Sequence, residues 1–341
     1  GGGTGFGAEG QVWVDGVPVH GISPNHRAVR VASPAAGGEA VDLHIEAAAN
    51  PSAPPLDPAP LLLADPEGEP QLVLRRCHLA VVDREVEALV RDWVLVREKG
   101  TWLEPARAAA ANDALDAACL VVEAGEVVEA GGVDEATVAE ARRVLAGALA
   151  PGDGPRHTHL AVGNSHLDTA WLWPLRETRR KAARTFSTAT TFLEREPDYR
   201  FAASQAQQFE WIRDDHPDLW RRLKRLVADG RFDVVGAMWV EPDCNVPSGE
   251  SLVRQLVHGK RFWLDAFGVD VDGLWLPDVF GYSAALPQIL AAAGVDWFLT
   301  QKISWNDTNR FPHHTFWWEG IDGTRIFTHF PPADTYNGDF S

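Results

Sequence analysis

The sequence has few of the features that mark secreted, membrane-bound or nucleic-acid-binding proteins. Only three cysteines occur in 341 residues, and this odd, scattered set predicts no disulfide framework and favours a reducing compartment. No apolar run approaches the roughly 18 residues that a membrane-spanning helix needs. Lysine and arginine total 31 against 48 acidic residues, for a formal charge of −17. Such a surface repels phosphate, which argues against nucleic acid as the main partner.

Methionine and tyrosine are also scarce. The single methionine is Met238, so position 1 is not a translation start and we expect a piece of a longer protein. Three tyrosines accompany 14 tryptophans, whose flat rings suit both protein cores and sugar rings. With 45% hydrophobic and 23% charged residues, the composition is typical of a globular protein, and the length predicts two or three domains.

Residues 1–82 are predicted to form a small antiparallel β-sandwich. Short apolar runs flank Asp15-Gly16, a pair that favours a two-residue hairpin turn. Alternation with period two predicts further strands at 29–31, 41–45 and 72–74, with a proline-rich loop between the last two. A structural appendage and a sugar-binding module are both compatible with this pattern.

Residues 83–155 are predicted to form a helical spacer. Asp83 is placed to cap a helix that runs to about Arg97, and an alanine-rich helix follows at 105–121. Asp134 is placed to cap a third helix with one apolar stripe. The turn-rich segment 150–155 predicts the boundary to the next domain.

Residues 156–341 have an α/β pattern. Predicted strands at 160–163, 232–235, 273–276 and 297–300 alternate with helices, of which two are expected at 205–229 and 248–267. This alternation is typical of a parallel sheet or barrel. Ligands in such folds lie at the carboxyl ends of the strands, so the functional residues are expected there.

The segment after the first of these strands carries His166 and Asp168. In an extended segment these two side chains point to the same side. An imidazole nitrogen and a carboxylate oxygen that converge would suit zinc or a similar divalent ion. The alternative is a solvated or hydrogen-bonded pair with no ligand.

Other strand ends carry further charged residues. Asp278 follows one strand, where a catalytic carboxylate is expected, although a helix N-cap is the alternative. Glu241 and Asp243 follow another strand, and Lys302 follows the last one. Charges repeated at several strand ends indicate a functional site more strongly than any one of them does.

Several motifs in order closely resemble glycoside hydrolase family 38, the α-mannosidases, and most closely its cytosolic branch. The resemblance covers nearly the whole chain and is strongest from 157 to 335. Its motifs are His166–Trp173, Ser204–Gln208, Trp239–Glu241, Pro247–Glu250, Leu276–Ser283, Leu299–Lys302 and His313–Gly320.

The resemblance implies a role for individual residues. His166, Asp168 and Asp278 match metal ligands, and Asp278 also matches the nucleophile. Trp171 matches the tryptophan beneath the mannose ring, whereas Trp173 is expected in the core. Substrate contact is expected for Glu241, Asp243 and Lys302, and Lys302 lies near a position where other branches carry arginine. The remaining metal ligand and the acid/base aspartate are expected beyond residue 341, so this chain alone is expected to have little or no activity.

The resemblance predicts the function and the surroundings of the protein as well. We expect an incomplete α/β catalytic region of the seven-stranded parallel β/α barrel type. We expect an enzyme, a retaining α-mannosidase that acts on terminal α-mannosides of oligosaccharides. Zinc is the expected metal, with cobalt or manganese as substitutes.

Two other functions are compatible with the same residues. One is a metal-dependent carbohydrate deacetylase, and the other is a catalytically degenerate sugar-binding protein. No nucleic-acid or membrane partner is expected, and the sequence leaves a homo-oligomer open. Cysteine usage and the cytosolic resemblance predict a cytoplasmic location.

Overall fold

The computed structural model describes residues 8–23, 26–49, 77–125, 132–150, 158, 160–171 and 173–331. The predicted strand at 72–74, the proline-rich loop before it and most of the predicted boundary segment at 150–155 lie outside these residues. Among the described helices, none is both long enough and apolar enough to cross a membrane.

The chain forms two compact units. One contains the described parts of Gly1–Val73 and Leu160–Gly338, and the other contains those of Leu74–His159. The N-terminal strands therefore belong to the same unit as the α/β region. The three-domain division made from the sequence stays a prediction.

An antiparallel sheet is formed by the N-terminal strands β1 (Ala8–Val14), β2 (Val17–Ile22) and β3 (Leu43–Ala49), in the order β2-β1-β3. The predicted hairpin is confirmed, because Asp15 and Gly16 connect β1 to β2 with φ values of 50° and 79°. Two positive φ angles are what a tight hairpin turn of this hand requires.

The predicted strand at 29–31 is wrong, since this segment has no regular structure. None of the described strands pairs with this segment, and alternation of side chains alone supplies no hydrogen-bond partner for a strand backbone. The described N-terminal strands form one sheet. This sheet packs on a helix of the α/β region, in which Thr191 Oγ1 donates to Val19 O at 2.7 Å. The sandwich stays a prediction.

The described part of the second unit contains three helices: α1 (Arg84–Trp102), α2 (Pro105–Ala124) and α3 (Glu135–Leu149). Asp83 and Asp134 cap α1 and α3 by accepting hydrogen bonds from backbone N–H groups of the first turn. The helices bury a common apolar core that includes Val96, Ala118 and Leu145. All three predicted helices are confirmed.

Parallel strands form the centre of the α/β region. β4 (Gly163–Asn164), β5 (Phe201–Ala203) and β6 (Phe232–Val234) make one parallel sheet. β7 (Gly273–Leu276), β8 (Trp297–Thr300) and β10 (Arg325–His329) make a second, to which β9 (Thr315–Glu319) adds an antiparallel edge.

A hydrogen bond joins the two parallel sheets, because Ala237 N, just after β6, donates to Gly273 O at the start of β7 at 2.8 Å. The parallel strands thus follow one another in chain order, β4 to β8 and then β10. The α/β class is shown by this mixture of helices and parallel strands, and the barrel stays a prediction.

The helices between these strands are α4 (Leu175–Arg195), α5 (Ala206–Asp215), α6 (Pro217–Ala228), α7 (Gly249–Phe267) and α8 (Leu286–Ala292). Ser248 caps α7 and Gly268 ends it with φ of 71°, as predicted. Phe186, Phe209, Phe232 and Trp263 are fully buried, and their rings meet in edge-to-face or tilted contacts between helices and strands.

Two features of this region differ from the prediction. The strand expected at 160–163 begins only at Gly163, and Leu160 is 92% exposed. Among the described strands β4 pairs with β5 alone, so the apolar residues before Gly163 have no strand on their other side. Helix α4 and strands β5, β9 and β10 were not predicted at all.

Candidate active site

Five ionisable side chains come together at the strand ends of the α/β region. His166 and Asp168 follow β4, Glu241 follows β6, and Asp278 and Lys302 follow β7 and β8. Because these strands are parallel, their carboxyl ends lie on one edge of the structure. This is the edge where α/β enzymes place their active sites.

His166 lies at the centre of the cluster. Its Nε2 is 3.4 Å from Asp168 Oδ1 and 3.5 Å from Asp278 Oδ2. Its Nδ1, on the opposite edge of the ring, is 2.8 Å from Glu241 Oε2. The imidazole therefore faces carboxylates from three different strand ends, and only 28% of its surface is exposed.

Lys302 holds Asp278 from the other side. Its Nζ is 2.8 Å from Asp278 Oδ1, and the lysine side chain is only 3% exposed. The ammonium group also lies 3.1 Å from the ring centroid of Trp305 and 4.6 Å from that of Phe280. Aromatic faces attract a desolvated cation, so this lysine is held against the carboxylate by rings as well as by charge.

Three of these residues fit a divalent cation. His166, Asp168 and Asp278 each offer one donor atom, and the three atoms lie within 4.8 Å of one another. One imidazole nitrogen with two carboxylate oxygens is a donor set that suits zinc and similar ions. Taken as whole residues, His166 is exposed, and Asp168 and Asp278 are partly buried.

Charge complementarity dominates the electrostatics of the site. Burial lowers the pKa of His166, but hydrogen bonds with Asp168, Asp278 and Glu241 outweigh it and raise the pKa to about 12. Burial raises the pKa of Asp278, yet hydrogen bonds from His166 and Lys302 hold this pKa below its ordinary value. The three carboxylates thus stabilise positive charge at one point, and Asp278 is ionised at neutral pH.

The loop that carries His166 and Asp168 is fixed by glutamines that follow β5. Gln205 Nε2 and Gln208 Nε2 both donate to Leu167 O, at 2.8 and 2.7 Å. Gln205 Oε1 accepts from Thr169 Oγ1 at 2.6 Å. Gln205 has φ of 69°, a strained value for a residue other than glycine. These hydrogen bonds therefore fix the segment that carries both predicted ligands.

The remaining predicted site residues lie in different environments. Trp171 is 53% exposed and meets Trp173 edge to face at 5.9 Å. Trp173 Nε1 donates to Thr178 Oγ1 at 3.0 Å and packs against the core, as expected for that residue. Asp243 is exposed and accepts from Asn245 N at 2.8 Å, so its carboxylate stabilises a turn.

Several residues at the site were not singled out from the sequence. Ser204 Oγ donates to Glu241 Oε1 in a short hydrogen bond. Gln205, Gln208, Phe280 and Trp305 complete the surroundings of His166 and Lys302. All but Trp305 lie in motifs that carry the family resemblance, yet nothing in their residue type indicates which partner they meet.

The α/β region matches the profile of a known protein family. The profile of the glycosyl hydrolases family 38 N-terminal domain matches residues 156–341, more than half of the chain. The matched segment contains the whole cluster around His166. The chain belongs to glycosyl hydrolase family 38.

Individual relatives carry the name of one activity. Alpha-mannosidase 2C1 of Mus musculus is 40% identical over 338 residues, which is 96% of this chain and 31% of that protein. The alpha-mannosidase of Saccharomyces cerevisiae is 52% identical over 179 residues, which is 52% of this chain and 16% of that protein. The chain thus spans less than a third of the length of these relatives.

One solved structure has a weaker similarity. An alpha-mannosidase from Enterococcus faecalis V583 matches 52% of this chain and 20% of its own length, with 23% identity and a TM-score of 0.44. The family assignment depends on the sequence match.

Proposed function

We propose that this chain belongs to a retaining, metal-dependent α-mannosidase that hydrolyses terminal α-mannosides of oligosaccharides. The names of its relatives support the substrate. The observation that carries the proposal is the convergence of His166, Asp168 and Asp278 within 4.8 Å at the strand ends. One of these carboxylates, Asp278, also has a buried lysine on its other oxygen.

The metal-holding role falls to His166, Asp168 and Asp278. Zinc is the expected ion, and the two carboxylate oxygens also tolerate cobalt or manganese. When bound, a divalent cation supplies a positive centre that two neighbouring hydroxyl oxygens can chelate. Mannose presents its 2- and 3-hydroxyls on the same side of the ring and glucose does not, so such a site favours mannose.

Asp278 is the proposed nucleophile. A nucleophilic carboxylate has to be ionised, and contacts with His166 and Lys302 hold the pKa of Asp278 below its ordinary value. A carboxylate oxygen of Asp278 forms a bond to the anomeric carbon while the glycosidic C–O bond breaks. The bonding electron pair leaves with the glycosidic oxygen, which takes a proton from an acid.

Water completes the reaction. The glycosyl ester on Asp278 is attacked by water, which loses a proton to a base, and the carboxylate leaves with the electron pair of the ester bond. Two displacements at one carbon restore the original configuration. We assign the acid and base role to no residue of this chain.

Substrate contact is proposed for Trp171 and Lys302. Trp171 presents a half-exposed indole on the same loop as His166 and Asp168, and an indole face suits the apolar face of a sugar ring. Lys302 lies against Asp278, where its ammonium group can also donate to a sugar hydroxyl. Contact with Asp243 requires a sugar that reaches the turn after β6.

A cytoplasmic location is proposed on separate grounds. Cys77, Cys119 and Cys244 are all free thiols. Free cysteines persist in reducing compartments, which supports this location.

The test is to identify the labelled nucleophile in the longest polypeptide that carries this chain. A mechanism-based fluoro-mannoside should trap an ester on Asp278, detectable by mass spectrometry of the peptide, and Asp278→Asn should abolish both the label and hydrolysis of an aryl α-mannoside. Asp270→Asn is the matched control, since Asp270 is 74% exposed and precedes the same strand. A deacetylase would give no label, and a label on another carboxylate would refute the assignment.

A further inference from the structure

Glu241 is the most deeply buried carboxylate at the site, with only 5% of its side chain exposed. We propose that Glu241 is a positioning residue that keeps a proton on His166 Nδ1 and so directs His166 Nε2 towards the metal. This inference rests on the proposed function and replaces the substrate contact predicted for Glu241. It assigns to the loop after β6 a role in metal affinity.

The first argument is the direction of the imidazole. Nδ1 lies 2.8 Å from Glu241 Oε2, whereas Nε2 lies 3.4 and 3.5 Å from oxygens of Asp168 and Asp278. The short contact is on the side away from the other two proposed ligands. A histidine that binds a metal through one ring nitrogen commonly donates the other N–H to a carboxylate.

The second argument is the hydrogen-bonding need of Glu241. In the part of the chain that the structure describes, the buried Oε2 of Glu241 accepts no hydrogen bond, and His166 Nδ1 lies 2.8 Å from it. A buried carboxylate oxygen without a donor costs free energy. Protonation of Nδ1 satisfies this oxygen, and Nε2 is then the nitrogen left for the metal.

The third argument is that Glu241 is itself held in place. Ser204 Oγ, at the end of β5, donates to Oε1. Glu241 N lies 3.4 Å from Gln205 Oε1, and Gln205 also holds the backbone between His166 and Asp168. The carboxylate that orients His166 is therefore fixed by the same strand end that fixes the His166 loop.

The test compares zinc affinity in three variants by competition with a chelator. Glu241→Leu has a similar size but no acceptor, and we expect it to lose about 10- to 100-fold in affinity. Glu241→Gln keeps a carbonyl oxygen that accepts from Nδ1–H and an amide group that can hydrogen-bond to Ser204. We therefore expect a smaller loss of zinc affinity. Glu250→Gln removes the same charge from an exposed position paired with Arg254 and should bind zinc like the wild type.

A measurement on the unaltered protein keeps the inference testable even if Glu241→Leu does not fold. Nitrogen-15 NMR of the zinc-loaded protein should show His166 with a proton on Nδ1 and without one on Nε2, assigned by the signals missing in His166→Asn. Zinc bound to Nδ1, or unchanged zinc affinity in folded Glu241→Leu, would overturn the role of Glu241. Failure of the wild type to bind zinc would instead refute the proposed metal site.

Discussion

Glu9 is the residue whose replacement tests the packing of the N-terminal sheet on the α/β region most directly. Its carboxylate lies 2.8 and 2.9 Å from Lys181 Nζ and 2.7 Å from Arg184 Nη2 on α4. The three side chains are only 12%, 5% and 6% exposed. Glu9→Gln removes the charge that these two buried cations share.

The expected loss of stability follows from these distances. At an effective dielectric constant of about 20, unit charges 2.8 Å apart attract by about 6 kcal/mol. Arg184 keeps its contact with Glu177, and Lys181 keeps the ring of Trp173 at 4.5 Å. Removal of one partner from a buried ion pair costs about 3–5 kcal/mol, and we expect a loss of that size.

The assay is urea denaturation followed by far-UV circular dichroism. Glu46→Gln is the matched control, because Glu46 on β3 pairs with Arg180 on the same helix but the two side chains are 36% and 45% exposed. Exposed ion pairs contribute about 0–1 kcal/mol. If Glu9→Gln costs no more than Glu46→Gln, the buried cluster does not join the sheet to α4 in the way that we describe.

Three further predictions use other parts of the structure. Gln205→Gly should be about 1 kcal/mol more stable than Gln205→Ala in urea denaturation, because only glycine adopts φ of 69° without strain; equal stability would contradict the strained backbone. Burial lowers the pKa of His20, so this histidine is neutral when folded and protonates on unfolding near pH 6.5. The unfolding free energy should therefore fall as the pH drops below about 6.5, and less steeply in His20→Gln; parallel pH curves would contradict this. Zinc at 100 times its Kd should add about 2.7 kcal/mol of stability, and Asp168→Asn should remove most of that gain in a thermal shift assay, whereas an unchanged gain would exclude Asp168 as a ligand.

Local chemistry made much of the secondary structure predictable. The Asp15-Gly16 turn, the aspartate caps of α1 and α3, and the boundaries of α7 all depend on residues that contact their own immediate neighbours. Such signals are complete within a few residues of sequence. They hold irrespective of what packs on the element.

Helix α4 shows why other elements escaped prediction. Its second half has an apolar stripe that includes Phe186 and Leu193, but the buried side of its first half is polar and includes Glu177, Thr178, Lys181 and Arg184. Glu9 of the N-terminal sheet pairs with the buried Lys181 and Arg184. Arg184 in turn pairs with Glu177. A pattern of hydrophobic residues cannot reveal a face that is stabilised by charge from a distant strand.

In the candidate site, too, some contacts follow from the local sequence and others depend on the tertiary structure. His166 and Asp168 are two residues apart, and their convergence follows from the extended backbone between them. That Asp278 meets them, and that Lys302 lies behind Asp278, depends on strands that are more than a hundred residues away in sequence. The family motifs predicted which residues matter without stating these contacts.

The sequence by itself determined the hairpin, the helix caps, the class of the α/β region and the family, because each depends on residue types at short or ordered spacings. Only the tertiary structure decided that Glu241 lies behind His166 and Asp243 stabilises a turn, although both carboxylates belong to one short loop. The physical reason is burial. The packing of β5 beside β6 shields one of these side chains from water and gives it partners, while the other stays in solvent.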